Sequence, residues 1–412
     1  MVQRYISHSI PNTLHYSSEI HPYVGEFSYL CTTGTKPSTE TIMTKTGMAR
    51  MSAMLISIML SAVAISSCGR KESQTAGANE IYKPEYAGGF EIVCGDDSVA
   101  TLIIKNPWQG ADSVTMSYRV EKPAERIVAM SSTFTAMLEG LGATDRIVGV
   151  SGLGFISSDA LRSRGDKVAD VGYDSNIDFE KIVMLNPDVV LLYGVNGPNV
   201  IEAKLKELGI PYVYIGDYLE ESPLGKTEWV AAIGEIIGKR EEAIALFDSI
   251  AGRYNALKSH YSSIADKPGV MVNAPYGDSW WMPSTSNYMS QLIADAGGDY
   301  IYKENTGNRS KNIDIEEAYM LAAEADVWIN PGQVSSETQL KALAPRFTDT
   351  KPFVNGRVYN NNRRSSPGGG NDFYESGVMH PDVVLQDLIK VFHPDSLDGY
   401  ETVYYQCLMH NS

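Results

Sequence analysis

Aromatic and arginine side chains in the second half of this 412-residue chain could bind a large, flat, polar molecule. Tyrosine and tryptophan rings stack on planar groups, and arginine pairs with carboxylates, phenolates or phosphates. Such residues cluster in "NAPYGDSWWMP", "GNRSKN" and "YNNNRRSSPGGGND". The candidate ligand contacts from these segments are Tyr276, Trp280, Trp281, Arg309, Arg363 and Arg364.

Two of these assignments have structural alternatives. The "SWW" triplet could belong to an aromatic core, although its position between Gly277 and Pro283 favours an exposed loop. The Arg363–Arg364 pair could equally lie in a solvated loop. The "GGG" run after it supplies turn flexibility, and it does not follow a strand and begin a helix as a phosphate-binding loop does.

Enzymatic and direct metal-binding chemistry have weaker support in the sequence. Neither G-x-S-x-G nor H-E-x-x-H is present. Ser131 or Ser132 could form a hydrolase triad with His380 and an aspartate, but no spacing selects that set. Direct metal sites need clustered histidines and carboxylates, and we expect none here. The histidines after residue 67 are His260, His380, His393 and His410.

Strand and helix patterns alternate on both sides of a long helical stretch. Short buried strands such as "RIVAM" and "DVVLLYG" alternate with helices after Pro123, and the same rhythm resumes after Pro268. Such alternation predicts parallel sheets covered by helices. Residues 227–266 between them show only helical periodicity. The sequence therefore predicts an α/β fold in which two lobes, each with a mostly parallel sheet, are joined by a long helix.

Polar and aromatic residues follow several strands of the predicted first lobe. Ligands of open α/β sheets bind beyond the carboxyl ends of the strands, so these residues are further candidate ligand contacts. They are Ser131, Ser132, Thr133, Tyr173, Tyr193, Asn196 and Tyr218.

One helix start is written twice, as "NIDFEKIVML" from position 176 and "NIDIEEAYML" from position 312. Asp178 and Asp314 are predicted to cap the two helices. Glu180 and Glu316 then fall in the first turn, where carboxylates complement free backbone N–H groups and the helix dipole. The pairs that recur in register are Asn176/Asn312, Ile177/Ile313, Asp178/Asp314, Glu180/Glu316, Met184/Met320 and Leu185/Leu321.

The stretch "MTKTGMARMSAMLISIMLSAVAISSCGRK" has the layout of an export signal. Its apolar run, residues 51–65, is too short for a comfortable membrane span. The "ISSC" sequence resembles the lipobox of bacterial lipoproteins, so Cys68 is the predicted lipidation site, and an ordinary secretory signal is the alternative. The net charge of −16 makes nucleic acid a poor partner. Export permits a disulfide between Cys94 and Cys407, and two buried free thiols are the alternative.

These patterns divide the chain into seven predicted segments. They are an upstream segment with signal peptide (1–67), a tether (68–88), a β-rich extension (89–121), an N-terminal α/β lobe (122–226), linker helices (227–266), a C-terminal α/β lobe (267–395) and a tail (396–412).

Residues 122–395 resemble the helix-linked class of bacterial ABC-transporter substrate-binding proteins, which carry ferric siderophores, haem and vitamin B12. The resemblance lies in the order and spacing of several segments. They are "PAERIVAMSSTFTAMLEGLGATDRIVGVSG", "VGYDSNIDFEKIVMLNPDVVLLYG", "LKELGIPYVYI", "EWVAAIGEIIGKREEAIALFDSIAGRY", "YMSQLIADAGGDYIY" and "SGVMHPDVVLQDLIKVFHPD".

The resemblance implies a monomer that binds its ligand between the lobes and opens only slightly about a stiff linker. Glu180 and Glu316 occupy the positions at which this family docks one glutamate per lobe into arginine pockets of the membrane permease. The implied partners are the permease, its ATPase and a metal chelate. We expect no resident cofactor, but a ligand containing iron or cobalt, and a protein lipid-anchored at the periplasmic face of a bacterial membrane.

A ferric siderophore is the first ligand hypothesis, with vitamin B12 or haem as alternatives in the same role. A permease-independent lipoprotein that relays haem or iron is a further alternative, and a hydrolase is the remaining one. The docking glutamates favour the transporter component over the relay.

Overall fold

The computed structural model describes residues 79–95, 98–173 and 176–409. The predicted signal peptide, Cys68 and the first part of the predicted tether lie outside these residues. The described chain is an α/β protein with helices packed on parallel sheets, so the predicted fold class is confirmed.

An antiparallel meander, β1-β2-β3-β4, precedes the first lobe. Its strands are β1 (Asn79–Tyr82), β2 (Phe90–Cys94), β3 (Ala100–Lys105) and β4 (Thr115–Arg119). Alternate residues of β2 and β3, such as Phe90 and Leu102, are buried, as expected for a sheet with one packed face. The prediction of a tether up to residue 88 was wrong in its last part, because β1 pairs with β2.

The N-terminal lobe contains a sheet in the order β7-β6-β5-β8-β9, with every strand pair parallel. β5, β6 and β8 are buried throughout, which explains their Val- and Ile-rich sequences. The strands are β5 (Ile127–Ala129), β6 (Ile147–Val150), β7 (Ala169–Asp170), β8 (Val189–Leu192) and β9 (Tyr212–Tyr214). The helices are α1 (Ser132–Gly140), α2 (Asp159–Arg162), α3 (Phe179–Leu185) and α4 (Glu202–Leu208).

Two helices, α5 (Pro223–Ile236) and α6 (Arg240–Tyr261), link the lobes. In α5 every residue except Lys226 is buried. In α6 the buried residues, such as Phe247, Ile250 and Tyr254, recur every three or four positions, and this periodicity predicted the helix. No helix in the described part of the chain is both long enough and apolar enough to cross a membrane.

Two carboxylates, the buried Glu228 of α5 and the half-buried Glu220 just before it, hold the N-terminal meander in place. Glu228, which is 1% exposed, accepts hydrogen bonds from the Tyr82 hydroxyl and from the backbone N–H groups of residues 85, 86 and 87, at 2.7–2.8 Å. Glu220 accepts from the N–H groups of residues 88 and 89 at 3.0 Å and from the Trp229 indole at 2.9 Å. A side chain at Gly89 would lie 2.7 Å from the Trp229 ring. The meander is therefore fixed to α5.

The C-terminal lobe contains a sheet in the order β13-β10-β15-β16-β17 and a small antiparallel sheet, β11-β12-β14. Its strands are β10 (Gly269–Val272), β11 (Pro275–Tyr276), β12 (Ser279–Met282), β13 (Asp299–Tyr300), β14 (Lys311–Asp314), β15 (Val327–Ile329), β16 (Val358–Asn360) and β17 (Gln406–Cys407). Its helices are α7 (Tyr288–Asp295), α8 (Ile315–Glu324), α9 (Glu337–Leu343), α10 (Lys351–Val354), α11 (Ser376–Met379) and α12 (Pro381–Phe392). Short 3₁₀ turns lie at Thr144–Arg146, Leu153–Phe155, Gly165–Lys167, Asp217–Leu219, Pro345–Phe347 and Asp372–Tyr374.

The segment predicted as a tail is an integral part of this lobe. β17 pairs antiparallel with β16. The fully buried Asp387 of α12 accepts hydrogen bonds from the backbone N–H groups of residues 403, 404 and 405 and from the Tyr400 hydroxyl. The predicted boundary between lobe and tail at residue 396 was wrong, because the Asp387 carboxylate binds backbone N–H groups of the segment that follows it.

The predicted disulfide is absent. Cys94 lies in β2 and Cys407 in β17, and both are free thiols. The alternative of two buried thiols is also wrong, because Cys94 is half-buried and Cys407 is exposed. Each thiol instead contacts a backbone carbonyl at 3.5 Å, Cys94 that of Gly95 in the meander and Cys407 that of Gly356 in the C-terminal lobe.

We expect Glu228→Gln to lower the free energy of unfolding of the meander by at least about 2 kcal/mol, because the amide NH₂ group cannot accept the hydrogen bonds of one carboxylate oxygen. Urea unfolding and protease cleavage within residues 79–121 measure the effect. The exposed neighbour Glu221→Gln is the control and should change stability by less than about 0.5 kcal/mol. Equal unfolding and equal protease resistance in the two variants would refute the role of Glu228.

Candidate functional site

A depression of about 470 Å³ lies at the carboxyl ends of β6 and β7 in the N-terminal lobe. A neighbouring depression of about 420 Å³ shares Gly154 and Asp170 with it and is lined by Pro367 and Gly368 of the other lobe. The cleft therefore lies between the lobes, at the predicted edge of the sheet. The first depression is lined by Gly152, Gly154, Phe155, Asp170, Tyr173 and Lys181, among others.

Asp170 shapes the wall of this cleft. Its carboxylate accepts hydrogen bonds from the backbone N–H groups of Gly152 (3.2 Å), Leu153 (3.0 Å) and Gly172 (2.9 Å). It therefore fixes the turns that follow β6 and β7. Asp170 was not among the predicted cleft residues, although it ends β7 at the same edge of the sheet as the predicted Tyr173.

An aromatic pair and two cations line the cleft. The rings of Phe155 and Tyr173 lie 5.5 Å apart, centroid to centroid, and Phe155 is 45% exposed. Lys181 donates to the carbonyl of Asp170 at 2.8 Å, and Arg162 lines the second depression. The two rings can stack on a flat ligand. Lys181 and Arg162 are ion-paired with Asp178 and Asp159, so they offer N–H donors to a ligand but no unbalanced positive charge. Tyr173 therefore lies where the sequence placed it, whereas Phe155 was missed.

The two lobes touch through their backbones beside the cleft. Ser366 donates from Oγ to the carbonyl of Gly154 at 3.1 Å. A Cβ atom at Gly368 would lie 2.2 Å from the Gly154 oxygen, and one at Gly370 would lie 1.7 Å from the Phe155 oxygen. The glycine run therefore serves close backbone approach, a stricter requirement than the turn flexibility predicted for it.

Glu375 forms a second contact between the lobes. Its carboxylate accepts from the N–H groups of Ser157 at 2.6 Å and Ser158 at 2.9 Å, and the residue is 2% exposed. The pKa of Glu375 is raised to about 7, mainly by burial; the nearby carboxylates Asp372 and Glu139 contribute to the rise, and the two N–H donors oppose it. The contact therefore holds a carboxyl group that titrates near neutral pH.

Polar groups from both lobes meet at the start of α5. The Asp217 carboxyl hydrogen-bonds Thr133, and its Oδ2 atom is buried with no further partner among the described residues. Lys226 donates to the Asp217 carbonyl at 3.0 Å and lies 4.9 Å from the ring centroid of Tyr288 in the other lobe. Burial raises the pKa of Asp217 and lowers that of Lys226. Thr133, a predicted ligand contact, thus belongs to a polar cluster with Asp217, and its contact with a ligand stays a prediction.

Residues 127–360 match the family model of the periplasmic binding proteins. This chain belongs to the periplasmic binding protein family. It is 31% identical over 298 residues to an uncharacterized lipoprotein of Methanocaldococcus jannaschii, with 69% of each chain covered. An uncharacterized ABC transporter substrate-binding lipoprotein of Bacillus subtilis is 22% identical, covering 76% of this chain and 90% of its own. A periplasmic heme-binding protein of Pseudomonas aeruginosa shares the fold, with a TM-score of 0.54, 18% identity and coverage of 70% and 99%.

The family assignment confirms the resemblance predicted from residues 122–395. Periplasmic binding proteins bind solutes and are not an enzyme family, and the Bacillus subtilis relative is described as a substrate-binding lipoprotein of an ABC transporter. The ligand contacts of this binding protein stay predictions.

Trp280 is not a ligand contact, and its prediction was wrong. It is fully buried, donates its indole N–H to the Val272 carbonyl at 2.8 Å, and packs on Trp328 and Phe347 with ring centroids 5.7 and 5.0 Å away. The reason is strand alternation in β12, which turns Trp280 inward and Trp281 outward. The turn at Gly277 ends before the "SWW" triplet, which begins β12. The alternative of an aromatic core is therefore correct for Trp280.

The other aromatic and arginine candidates of this lobe are accessible. Tyr276, in β11, is 63% exposed, Trp281 is half-buried, and Arg309 is exposed after the buried Asn305. Asn273 donates from Nδ2 to the Trp281 carbonyl at 2.8 Å. None of these candidates lines the depression at Phe155, so any ligand contact they make lies elsewhere on the cleft.

The paired arginines contact other parts of their own lobe. Arg363 donates to Thr402 Oγ1 at 3.0 Å and lies 3.7 Å from the Glu401 carboxylate. Arg364 forms a 2.9 Å ion pair with the buried Asp372. Both guanidinium groups therefore have partners in this lobe.

The remaining candidates of the first lobe follow strands as predicted. Ser132 begins α1, and Tyr193 follows β8 with its carbonyl accepting from Asn199 Nδ2 at 2.8 Å. Ser131 caps α1 and lies 3.1 Å from Thr133 Oγ1, so its hydroxyl has a structural role. Burial lowers the pKa of His380. The described residues contain no group of three potential His, Cys, Asp or Glu metal ligands.

The duplicated helix starts form the predicted caps. Asp178 accepts from the Lys181 N–H group and Asp314 from that of residue 317, both at 2.8 Å. The backbone N–H group and Lys181 together lower the pKa of Asp178. Glu180 and Glu316 are both exposed, one on each lobe. Permease docking by these glutamates stays a prediction.

We expect Glu375→Gln to change how stability depends on pH. A carboxyl group with a raised folded pKa stabilises the fold fully below its unfolded pKa of 4.5, and this contribution is lost as pH rises through about 7. The wild-type free energy of unfolding should therefore fall, relative to that of the variant, by on the order of 3 kcal/mol between pH 4 and pH 8.

Urea unfolding at several pH values measures this difference. The exposed Glu304→Gln, which is not among the charges that act on Glu375, serves as the control and should keep the wild-type pH dependence. If Glu375→Gln also keeps it, the buried carboxyl does not titrate in this range.

Proposed function

We propose that this chain is the substrate-binding lipoprotein of an ABC importer, which captures a metal chelate between its lobes and delivers it to the membrane permease. The observation that carries the proposal is the duplicated helix start, which puts an exposed glutamate at the same position on each lobe of a protein with an interlobe cleft. Two matched negative charges orient a protein on a partner with two basic pockets.

Ferric siderophores are the ligand class we favour. The Phe155–Tyr173 pair offers aromatic surface, and Lys181 and Arg162, each paired with an aspartate of its own lobe, offer N–H donors to the oxygen atoms of a chelate. Haem or vitamin B12 would use the same features, and the fold shared with a heme-binding protein is compatible with haem. The metal, iron or cobalt, would arrive as part of the ligand and not as a resident cofactor.

Absorbance and mass spectrometry of the protein purified without chelators discriminate these ligands. Iron–catecholate, haem and corrinoid complexes have distinct spectra. Titration with ferric enterobactin, hemin and cyanocobalamin, in wild type and in Tyr173→Ala, then tests the cleft. Binding of none of the three would refute the proposed ligand class.

We further propose that Cys68 carries the lipid anchor on the periplasmic side of a bacterial membrane. Its support is the lipobox-like sequence and the lipoprotein relatives. Labelling with a radioactive fatty acid should mark the wild type and not Cys68→Ala, and an unlabelled wild type would refute the anchor.

We expect the double variant Glu180→Ala/Glu316→Ala to lose at least about tenfold in uptake while ligand affinity and melting temperature stay close to wild type, because both side chains are exposed. An uptake assay at matched expression measures the effect. Glu317→Ala is a matched control, since it removes an exposed glutamate of the same helical turn whose counterpart is Lys181. Normal uptake by the double variant would leave the glutamates as helix-start residues, and the relay alternative would then apply.

A further inference from the structure

Two methionines of the duplicated helices are displayed to solvent. Met184 of α3 is 84% exposed and Met320 of α8 is 63% exposed. They occupy the same position in the two copies of the repeat, on different lobes. An exposed apolar side chain on its own needs no explanation, but the same one at the same position of two lobes does.

Each methionine lies on the helix face that carries the glutamate. Met184 follows Glu180, and Met320 follows Glu316, by four residues, so each pair lies one turn apart on one face. Helical side chains lean toward the N-terminus, which brings the thioether toward the carboxylate. We call these four residues the docking face.

The core does not account for the methionines. The residues of the same helices that face inward are Ile182 and Ala318, both fully buried, and they provide the packing on the sheets. A polar residue with similar helix propensity, such as glutamine, would suit either exposed position as well. Retention of a methionine in both copies therefore points to a contact outside the chain.

We propose that Met184 and Met320 bind apolar surface on the permease, beside the basic pockets that receive the two glutamates. This inference rests on the proposed function and adds a second, uncharged component to docking. Methionine suits a contact that forms and breaks in every transport cycle, because its flexible, polarizable side chain adapts to varied surfaces.

The charge of the docking face indicates its occupant. Glu180 has no ion-pair partner among the described residues, and Glu316 has only the exposed Arg346 at 3.1 Å. A second copy of this acidic chain would place glutamates near glutamates, which is unfavourable. A partner with basic side chains flanked by apolar ones fits the four residues.

The test measures binding of the unloaded protein to its cognate permease–ATPase complex in lipid nanodiscs, by biolayer interferometry at several salt concentrations. Met184→Gln/Met320→Gln should weaken binding at least about tenfold and leave its salt dependence unchanged, since the charges remain. Val200→Gln is the matched control. Val200 is 83% exposed, close to the value of Met184, but lies between β8 and α4, outside both copies of the repeat, and should bind as wild type.

The outcomes separate this inference from the proposed function. If the methionine variant binds as wild type while Glu180→Ala/Glu316→Ala fails to bind, the proposed function stands and the apolar contact is refuted. If the wild type does not bind the complex, both fail. If the wild type is a dimer by light scattering and the methionine variant a monomer, the occupant is a second copy and the inference is overturned.

Discussion

The structure depends on a helix with almost no solvent-exposed side. Because α5 is buried apart from Lys226, its polar side chains need partners from other segments. Glu228 finds them in the backbone that follows β1, and Thr227 donates to the Val378 carbonyl at 2.7 Å in α11. One helix thus joins the N-terminal meander, the first lobe and a segment of the second. The meander is therefore a structural part of the molecule and not an appendage.

The cleft follows a similar rule, because its carboxylates bind backbone N–H groups instead of charged side chains. Asp170 orders one wall through three N–H groups, and Glu375 joins the lobes through two. Because Gly370 has no side chain, the loop of the second lobe that contains it can approach the Phe155 carbonyl closely. Tyr173 and Lys181, which line the ligand space, take no part in these contacts between carboxylates and backbone N–H groups. The walls and the recognition groups are thus largely separate sets of residues.

Periodicity and strand order were visible in the sequence because burial on both faces demands continuous apolar strands. This is why β5, β8 and the helix α6 were predicted. The burial of Trp280 was not predicted, because a hairpin turn and the strand that follows it have similar local compositions. The partners of Glu228, Asp387 and Glu375 were hidden for another reason. Each binds backbone N–H groups, which leave no signature in the types of the residues that donate them.

The two free thiols of the described residues allow a distance to be measured without adding residues. Cys407 is exposed on an edge strand of the second lobe, and Cys94 is half-buried in the meander fixed to α5. Their unequal accessibility permits stepwise attachment of two different fluorophores, first at Cys407 and then at Cys94. Energy transfer between them would follow the separation of the second lobe from the linker in real time, on a protein whose ligand-facing side chains are all native.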